Sequence, residues 1–373
     1  MKLALSTLCE NPARRTGLST FFPGLVASAL EIFPDVRWLV FAGSDAPWPV
    51  ADPRVEVVRD FPANDRPWAR LYADHFRVAG AARARGADAL LTVGFMPLNP
   101  AGLPVAMQVF VLPRGAGLRG FYRRWAVRRG FARAALIITN SRWAAAELGK
   151  HSRVAPSRLL ISSEGLDHAR FTVQALPGEH EKLSRDLGLP KNYLLWASNF
   201  YSYKRVELAL AAYARLGPAL RAQFPFVLAG GDWQGGLARA QAAAARLGVA
   251  GDVRFLGWVD DAVLPALYRG ARAHVLSTAE ETFGKSVTEA MACGCPCVLQ
   301  DLPVLREVAG DAAEWVDFAC TDSAAMALEK ICRDDMLMAC LRAAGLARAA
   351  EFNYEKLARE RVAAMLSLLT NRA

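Results

Sequence analysis

Short apolar runs recur along this chain, each followed by a longer stretch with helical spacing. Residues 2–5, 37–41, 55–58, 89–93, 105–111 and 136–139 read as strands. Helical runs such as 20–32 and 71–85 lie between them. Near-continuous apolar strands alternating with helices give the βαβ rhythm of a doubly wound parallel sheet. Gly188-Leu189-Pro190 then punctuates the chain, and a second cycle starts at 193–197. It continues through 226–229, 253–255, 273–276, 297–299 and 314–316. Residues 172–181, with Pro177 and Gly178, read as the linker. The expected organisation is a Rossmann-like domain over 1–175 and a second over 176–353. A closing amphipathic helix over 354–373 is expected to return to the first domain.

At 373 residues the chain is long enough for two full cores. Its apolar content of 53% excludes a disordered chain. No apolar run reaches the length that spans a bilayer, and the N-terminal run soon meets Cys9-Glu10-Asn11-Pro12, too short for a signal peptide. A cytoplasmic protein is the expectation, with its seven cysteines reduced. Cys293, Cys295 and Cys297 lack the spacing of a zinc knuckle, so no metal is expected there.

The most informative segment is Glu281-Thr282-Phe283-Gly284-Lys285-Ser286-Val287-Thr288-Glu289. It falls between two strands of the second cycle, as a loop and the start of a helix. That position is the carboxyl end of a parallel sheet, where such sheets bind ligands. A helix N-terminus attracts anions. Glu281 in the loop and Glu289 over a turn inside the helix, at ~1.5 Å of rise per residue, could accept from two sets of hydroxyls. A glycoside hydrolase pair fits less well, because its carboxyls must face one bond about 5–9.5 Å apart.

Glu281-x7-Glu289, followed by Ala290-Met291-Ala292-x-Gly294-x-Pro296, resembles the signature of family-4 retaining glycosyltransferases (glycosyltransferase group 1). Other pieces occur in that family's order: Leu228-Ala229-Gly230-Gly231-Asp232, Val253-Arg254-Phe255-Leu256-Gly257-Trp258-Val259 and Glu164-Gly165-Leu166-Asp167. The resemblance implies the α/β GT-B fold, two Rossmann-like doubly wound domains facing a cleft. It implies transfer of a hexose from a UDP- or GDP-linked sugar to a hydroxyl of a cell-envelope glycan or lipid-linked acceptor. Glu281, with Thr282, Phe283, Gly284 and Lys285, would hold the donor sugar, and Glu289 the ribose. Lys204, with Arg205, would grip the diphosphate. Gly17, in the loop after the first strand, would let the backbone approach the donor or acceptor.

Two departures stand out. Ser198 and Asn199 occupy the places of the family's Gly-Arg. Gln108 is the nearest polar residue where many members carry a His-Asp pair, and none of His75, His151, His168, His180 and His274 has motif support. They keep open a non-catalytic relative that binds a glycan or partner enzyme. No Asp-x-Asp occurs, so no metal or other cofactor is expected.

The net charge of +9 is unevenly placed. Seven arginines and no acidic residue lie between Arg114 and Arg133, with Phe121, Trp125 and Phe131 interleaved. Arg119, Arg123, Arg124 and Arg128 could face an anionic membrane, at ~1 kcal/mol per charge. Equally, their stems could cover apolar surface on an ordinary helix. The first reading makes the protein peripheral on the inner face of the cytoplasmic membrane. No nucleic-acid module is present.

Overall fold

The computed structural model describes residues 1–10, 17–44, 46–110, 117–150 and 154–370. Two compact units emerge: Met1–Gly165 with Asn353–Ala373, and Leu166–Phe352. The first boundary therefore falls ten residues before the expected one. The 172–181 stretch belongs wholly to the second unit, and from Glu179 it is already helical.

In the first unit, β1 (Lys2–Ser6), β2 (Arg37–Gly43), β3 (Val55–Phe61), β4 (Ala89–Val93), β5 (Val105–Gln108), β6 (Leu136–Thr139) and β7 (Leu159–Ile161) form one sheet. Its order is β3-β2-β1-β4-β5-β6-β7, and every pairing is parallel. β5 ends at Gln108, short of 111; residue 111 lies outside the described residues. β7 has no strand-like sequence signal, being three residues after a Pro156–Arg158 turn. In the second unit, β8 (Leu194–Ala197), β9 (Phe226–Ala229), β10 (Val253–Gly257), β11 (Ala273–Leu276), β12 (Cys297–Gln300) and β13 (Ala313–Val316) order as β10-β9-β8-β11-β12-β13, again all parallel. Each sheet reverses winding direction once, between β1 and β4 and between β8 and β11. A crevice opens at the carboxyl ends of the strands at such a point.

The final helix, Tyr354–Thr370, completes the first unit's core. Its Leu357, Ala358, Val362 and Met365 pack with Phe21, Phe22, Leu25 and Val26 of the Leu18–Ile32 helix. Tyr354 fits only because Gly24 and Gly165 lack side chains; a Cβ at either would come within 2.5 Å of its ring. Arg361, on the same helix, is fully buried. It donates to the Gln108 carboxamide oxygen, the Ser162 carbonyl (2.9 Å) and the Ser163 carbonyl (3.3 Å), with its guanidinium 4.8 Å from the Phe21 ring centre. Burial lowers its pKa to about 10. A buried cation with this many acceptors is expensive to disturb, because removal strands several polar groups. Arg361→Ala should cost about 3 kcal/mol or more. Thermal unfolding should show the loss, and an unchanged melting temperature would contradict it.

Candidate active site

The second unit's winding reversal brings two loops together. One follows β8 and contains Tyr201–Arg205. The other follows β11 and leads to the Lys285–Ala292 helix. The second loop fastens the first through its backbone. Ser277 Oγ donates to the Arg205 carbonyl (2.9 Å) and lies 3.2 Å from the Lys204 carbonyl. The Ala279 amide donates to the Tyr203 carbonyl at 2.7 Å. Arg205 is held at φ 47°, ψ 42°, a left-handed conformation uncommon outside glycine. It caps the Val206–Ala214 helix and its side chain is exposed.

Within this frame the Lys204 ammonium pairs with the Glu281 carboxylate. Lys204 is buried and Glu281 half-buried. Lys204 Nζ also lies 5.5 Å from the Tyr203 ring centre. Two residues that the sequence reading gave separate roles are thus in direct contact, although 77 positions lie between them. Thr282 is half-buried, and Phe283 packs edge-on against Phe352, centroids 5.4 Å apart. Gly284 sits at φ 102°, and a Cβ there would lie 2.8 Å from Leu305 Cδ2. Glycine is needed both for the turn and for this close approach. Lys285 then opens the helix, and the Val287 and Thr288 amides turn back to the Gly284 carbonyl at 2.9 and 3.3 Å.

Glu289 lies in the second turn of this helix and is buried. Tyr268 donates to its Oε2 at 3.4 Å. Burial raises the Glu289 carboxyl from its ordinary value to about 7; Lys285 and Arg170 oppose the shift. Tyr268 also meets the His274 ring edge-on at 5.5 Å, and His274 Nε2 is 3.3 Å from Ser286 Oγ. Burial lowers His274 to about 4, so its ring is neutral at physiological pH. Tyr268, Ser277 and His274 were not among the expected site residues. Ser277-Thr278 at a strand's carboxyl end was a readable polar signal; nothing local marked Tyr268.

The Ser198-Asn199 departure has a structural account. Asn199 Oδ1 accepts from the Gly231 amide at 2.9 Å, tying the loop after β8 to that after β9. These loops touch backbone to backbone: a Cβ on Gly230 would fall 1.7 Å from the Ser198 carbonyl, and one on Gly236 1.8 Å from that of Phe200. Asn199 therefore serves as a clasp.

Gly17 belongs to the first unit. Its φ of −54° and ψ of −24° are ordinary helical values, so this position makes no demand on glycine's left-handed freedom. The rest of its loop, Asn11–Thr16, lies outside the described residues, as do Arg114 and His151. Gln108 is buried and engaged by Arg361. His75 contacts Tyr122 Oη at 2.8 Å, and His168 the Phe352 carbonyl at 2.8 Å. Arg119, Arg123, Arg124 and Arg128 lie on the first unit's Gly117–Arg133 helix. Arg123 and Arg128 are exposed, Arg124 is half-buried, and the Arg119 side chain is outside the description. Cys293, Cys295 and Cys297 are buried free thiols, and burial pushes Cys293 up to about 12. No described helix is long and apolar enough to cross a membrane.

Residues 179–347 match the family model for glycosyl transferases group 1. The chain is 29% identical over 228 residues to O-antigen chain mannosyltransferase B of Escherichia coli, covering 60% of this chain and 58% of that one. It is 32% identical over 193 residues to a D-inositol 3-phosphate glycosyltransferase of Geodermatophilus obscurus, covering 50% and 42%. The matches thus span about half the length of these relatives. Among solved structures, sucrose-phosphate synthase from Thermosynechococcus elongatus superposes with a TM-score of 0.80 at 18% identity over 100% of both chains. Anabaena HepE in complex with UDP and glucose gives 0.76 at 19% identity, over 99% of this chain and 100% of that one. At these identities the likeness is one of fold, and the fold is GT-B.

The raised Glu289 carboxyl makes a signed prediction. The folded state binds the extra proton between pH 4.5 and about 7. Its contribution to stability is therefore present below pH 4.5 and lost as pH rises through 7, by ~3 kcal/mol. Glu289→Gln should melt close to wild type at pH 4.5–5 and progressively above it toward pH 8. Parallel melting curves at both pH values would remove the burial argument.

Proposed function

We propose that this chain, whose residues 179–347 match the family model for glycosyl transferases group 1, moves a hexose from a nucleoside diphosphate sugar to a hydroxyl of a cell-envelope glycan or lipid-linked acceptor. The observation that carries the reading is the Lys204–Glu281 pair beside a helix N-terminus at the winding reversal. A diphosphate arriving there competes with Glu281 for the Lys204 ammonium. Arg205 and the amides of the Lys285–Ala292 helix add positive potential. Glu281, released from part of its partner's charge, can then accept from the sugar's hydroxyls, with Thr282, Phe283 and Gly284 shaping the backbone around them. Glu289 faces the ribose hydroxyls as acceptor.

The chemistry retains anomeric configuration. The acceptor oxygen bonds to the anomeric carbon on the face the diphosphate leaves. The carbon–oxygen bond to phosphate breaks with its electron pair going to the phosphate oxygen, and that oxygen takes the acceptor's proton. Fixed cations stabilise the charge growing on the diphosphate. Lys204, Arg205 and the helix N-terminus do this without a metal. Similarity to an O-antigen mannosyltransferase and to a UDP-bound fold neighbour supports an envelope-glycan acceptor and a nucleotide-sugar donor. The arginines of the Gly117–Arg133 helix suit an anionic inner-leaflet surface, where a lipid-linked acceptor would reside.

Purified protein supplied with UDP- and GDP-sugars should turn over at least one donor. Lys204→Ala and Glu281→Ala should each lower turnover about 100-fold or more. EDTA should leave the wild-type rate unchanged. Equal rates in all three proteins would sink the site assignment. Nucleotide-induced thermal shifts without turnover would instead favour a binding protein.

A further inference from the structure

The first unit carries an exposed aromatic surface on two neighbouring helical segments. Trp68 (80% exposed), Tyr72 (60%) and Phe76 (56%) recur at i, i+4 and i+8 along Pro67–Tyr72 and the following Ala73–Arg77 turn. Leu118 (85%), Phe121 (65%) and Trp125 recur at i, i+3 and i+7 along Gly117–Arg133. His75 joins the two. Its ring lies 5.8 Å from Trp125 and 6.0 Å from Tyr122, and its Nε2 contacts the Tyr122 hydroxyl. Next to it in sequence, Phe76 lies 5.1 Å from Tyr72.

Ala73–Arg77 is a π-helical turn, a local widening often found at functional positions. Here it turns Ala73, Asp74 and His75 inward while Tyr72 and Phe76 stay in solvent. Asp74 is the sole acidic residue between Arg66 and Arg77; it is fully buried and paired with Arg70 at 2.8 Å. Of the exposed charges here, Arg66 pairs with the exposed Asp65 at 3.9 Å, while Arg77, Arg123 and Arg128 are positive. Exposed aromatics of this number, rimmed mainly by positive charge, mark an interaction surface.

We propose that Trp68, Tyr72 and Phe76 form an insertion ridge that enters the interfacial zone of an anionic lipid leaflet, beside Leu118, Phe121 and Trp125. Tryptophan and tyrosine suit that zone because each pairs an apolar ring with a polar edge. The arginine rim matches anionic headgroups. A second copy of the chain is a poorer occupant: a twofold contact through this patch would set the same arginines against one another. The proposal takes its choice of occupant from the membrane reading of the Gly117–Arg133 arginines. What it adds is a second, apolar element that salt does not screen.

The test is co-sedimentation of the full chain with phosphatidylcholine vesicles and with vesicles containing phosphatidylglycerol, at low and high salt. Wild type should bind the anionic vesicles and retain part of that binding at high salt. Trp68→Ser/Phe76→Ser should bind at least 10-fold more weakly and lose the salt-resistant part, with unchanged melting temperature and nucleotide binding. Arg123→Glu/Arg124→Glu/Arg128→Glu should lose the salt-sensitive part. If only the arginine variant fails, the ridge is wrong and the arginine reading stands. Absence of wild-type binding overturns both. A ridge-dependent dimer in analytical ultracentrifugation, without vesicle binding, overturns the lipid assignment in favour of self-association.

Discussion

A lysine ammonium buried against a glutamate carboxylate needs its backbone fixed before anything can bind beside it. In this protein the backbone is fixed by Ser277 and Ala279, which bond to the carbonyls of Tyr203 and Arg205. Those bonds exist because β8 and β11 are adjacent in the sheet, and the two strands are adjacent because winding reverses there. The parallel order thus determines which two loops meet, and the loops determine where the charge pair sits. Arg205's left-handed backbone is a local cost that this clamping sustains.

The same unit shows how a departure from a family pattern can be repaired at another level. Asn199 gives up a cation but gains a bond to Gly231 that holds two loops at backbone contact. The glycines at 230 and 236 are required by that proximity. What the loop loses in charge it recovers in rigidity, and the positive potential is left to Lys204, Arg205 and the helix N-terminus. The burial of Glu289 runs the other way. It holds an acceptor in a place that disfavours its ionisation, a stability cost of the sort functional sites carry.

Much of this was legible in the sequence. The strands of both sheets, except β7, are apolar runs whose type could be read directly. The placement of Glu281 and Gly284 in a loop and of Glu289 inside the following helix was legible from spacing and helix punctuation. Most of the unread parts share a cause: they depend on partners remote in the chain. Lys204 meets Glu281 only through strand order. Tyr268 reaches Glu289 across 21 positions. Gln108 is engaged by Arg361, 253 positions later in the chain. The π-helical turn at Ala73–Arg77 is a one-residue adjustment inside a helical pattern, which periodicity does not resolve.

Arg361 also bears on how the chain reaches its native state. The first unit is discontinuous, and its core lacks the Leu357, Val362 and Met365 side chains until the last helix is available. The second unit is one uninterrupted segment, Leu166–Phe352. During synthesis the later-encoded unit can therefore fold complete while the earlier one still exposes an apolar face. Closure of that face requires burying a guanidinium together with its acceptors in one step. The order of synthesis and the order of completion are thus inverted, with the first unit's sheet dependent on the final helix to seal it.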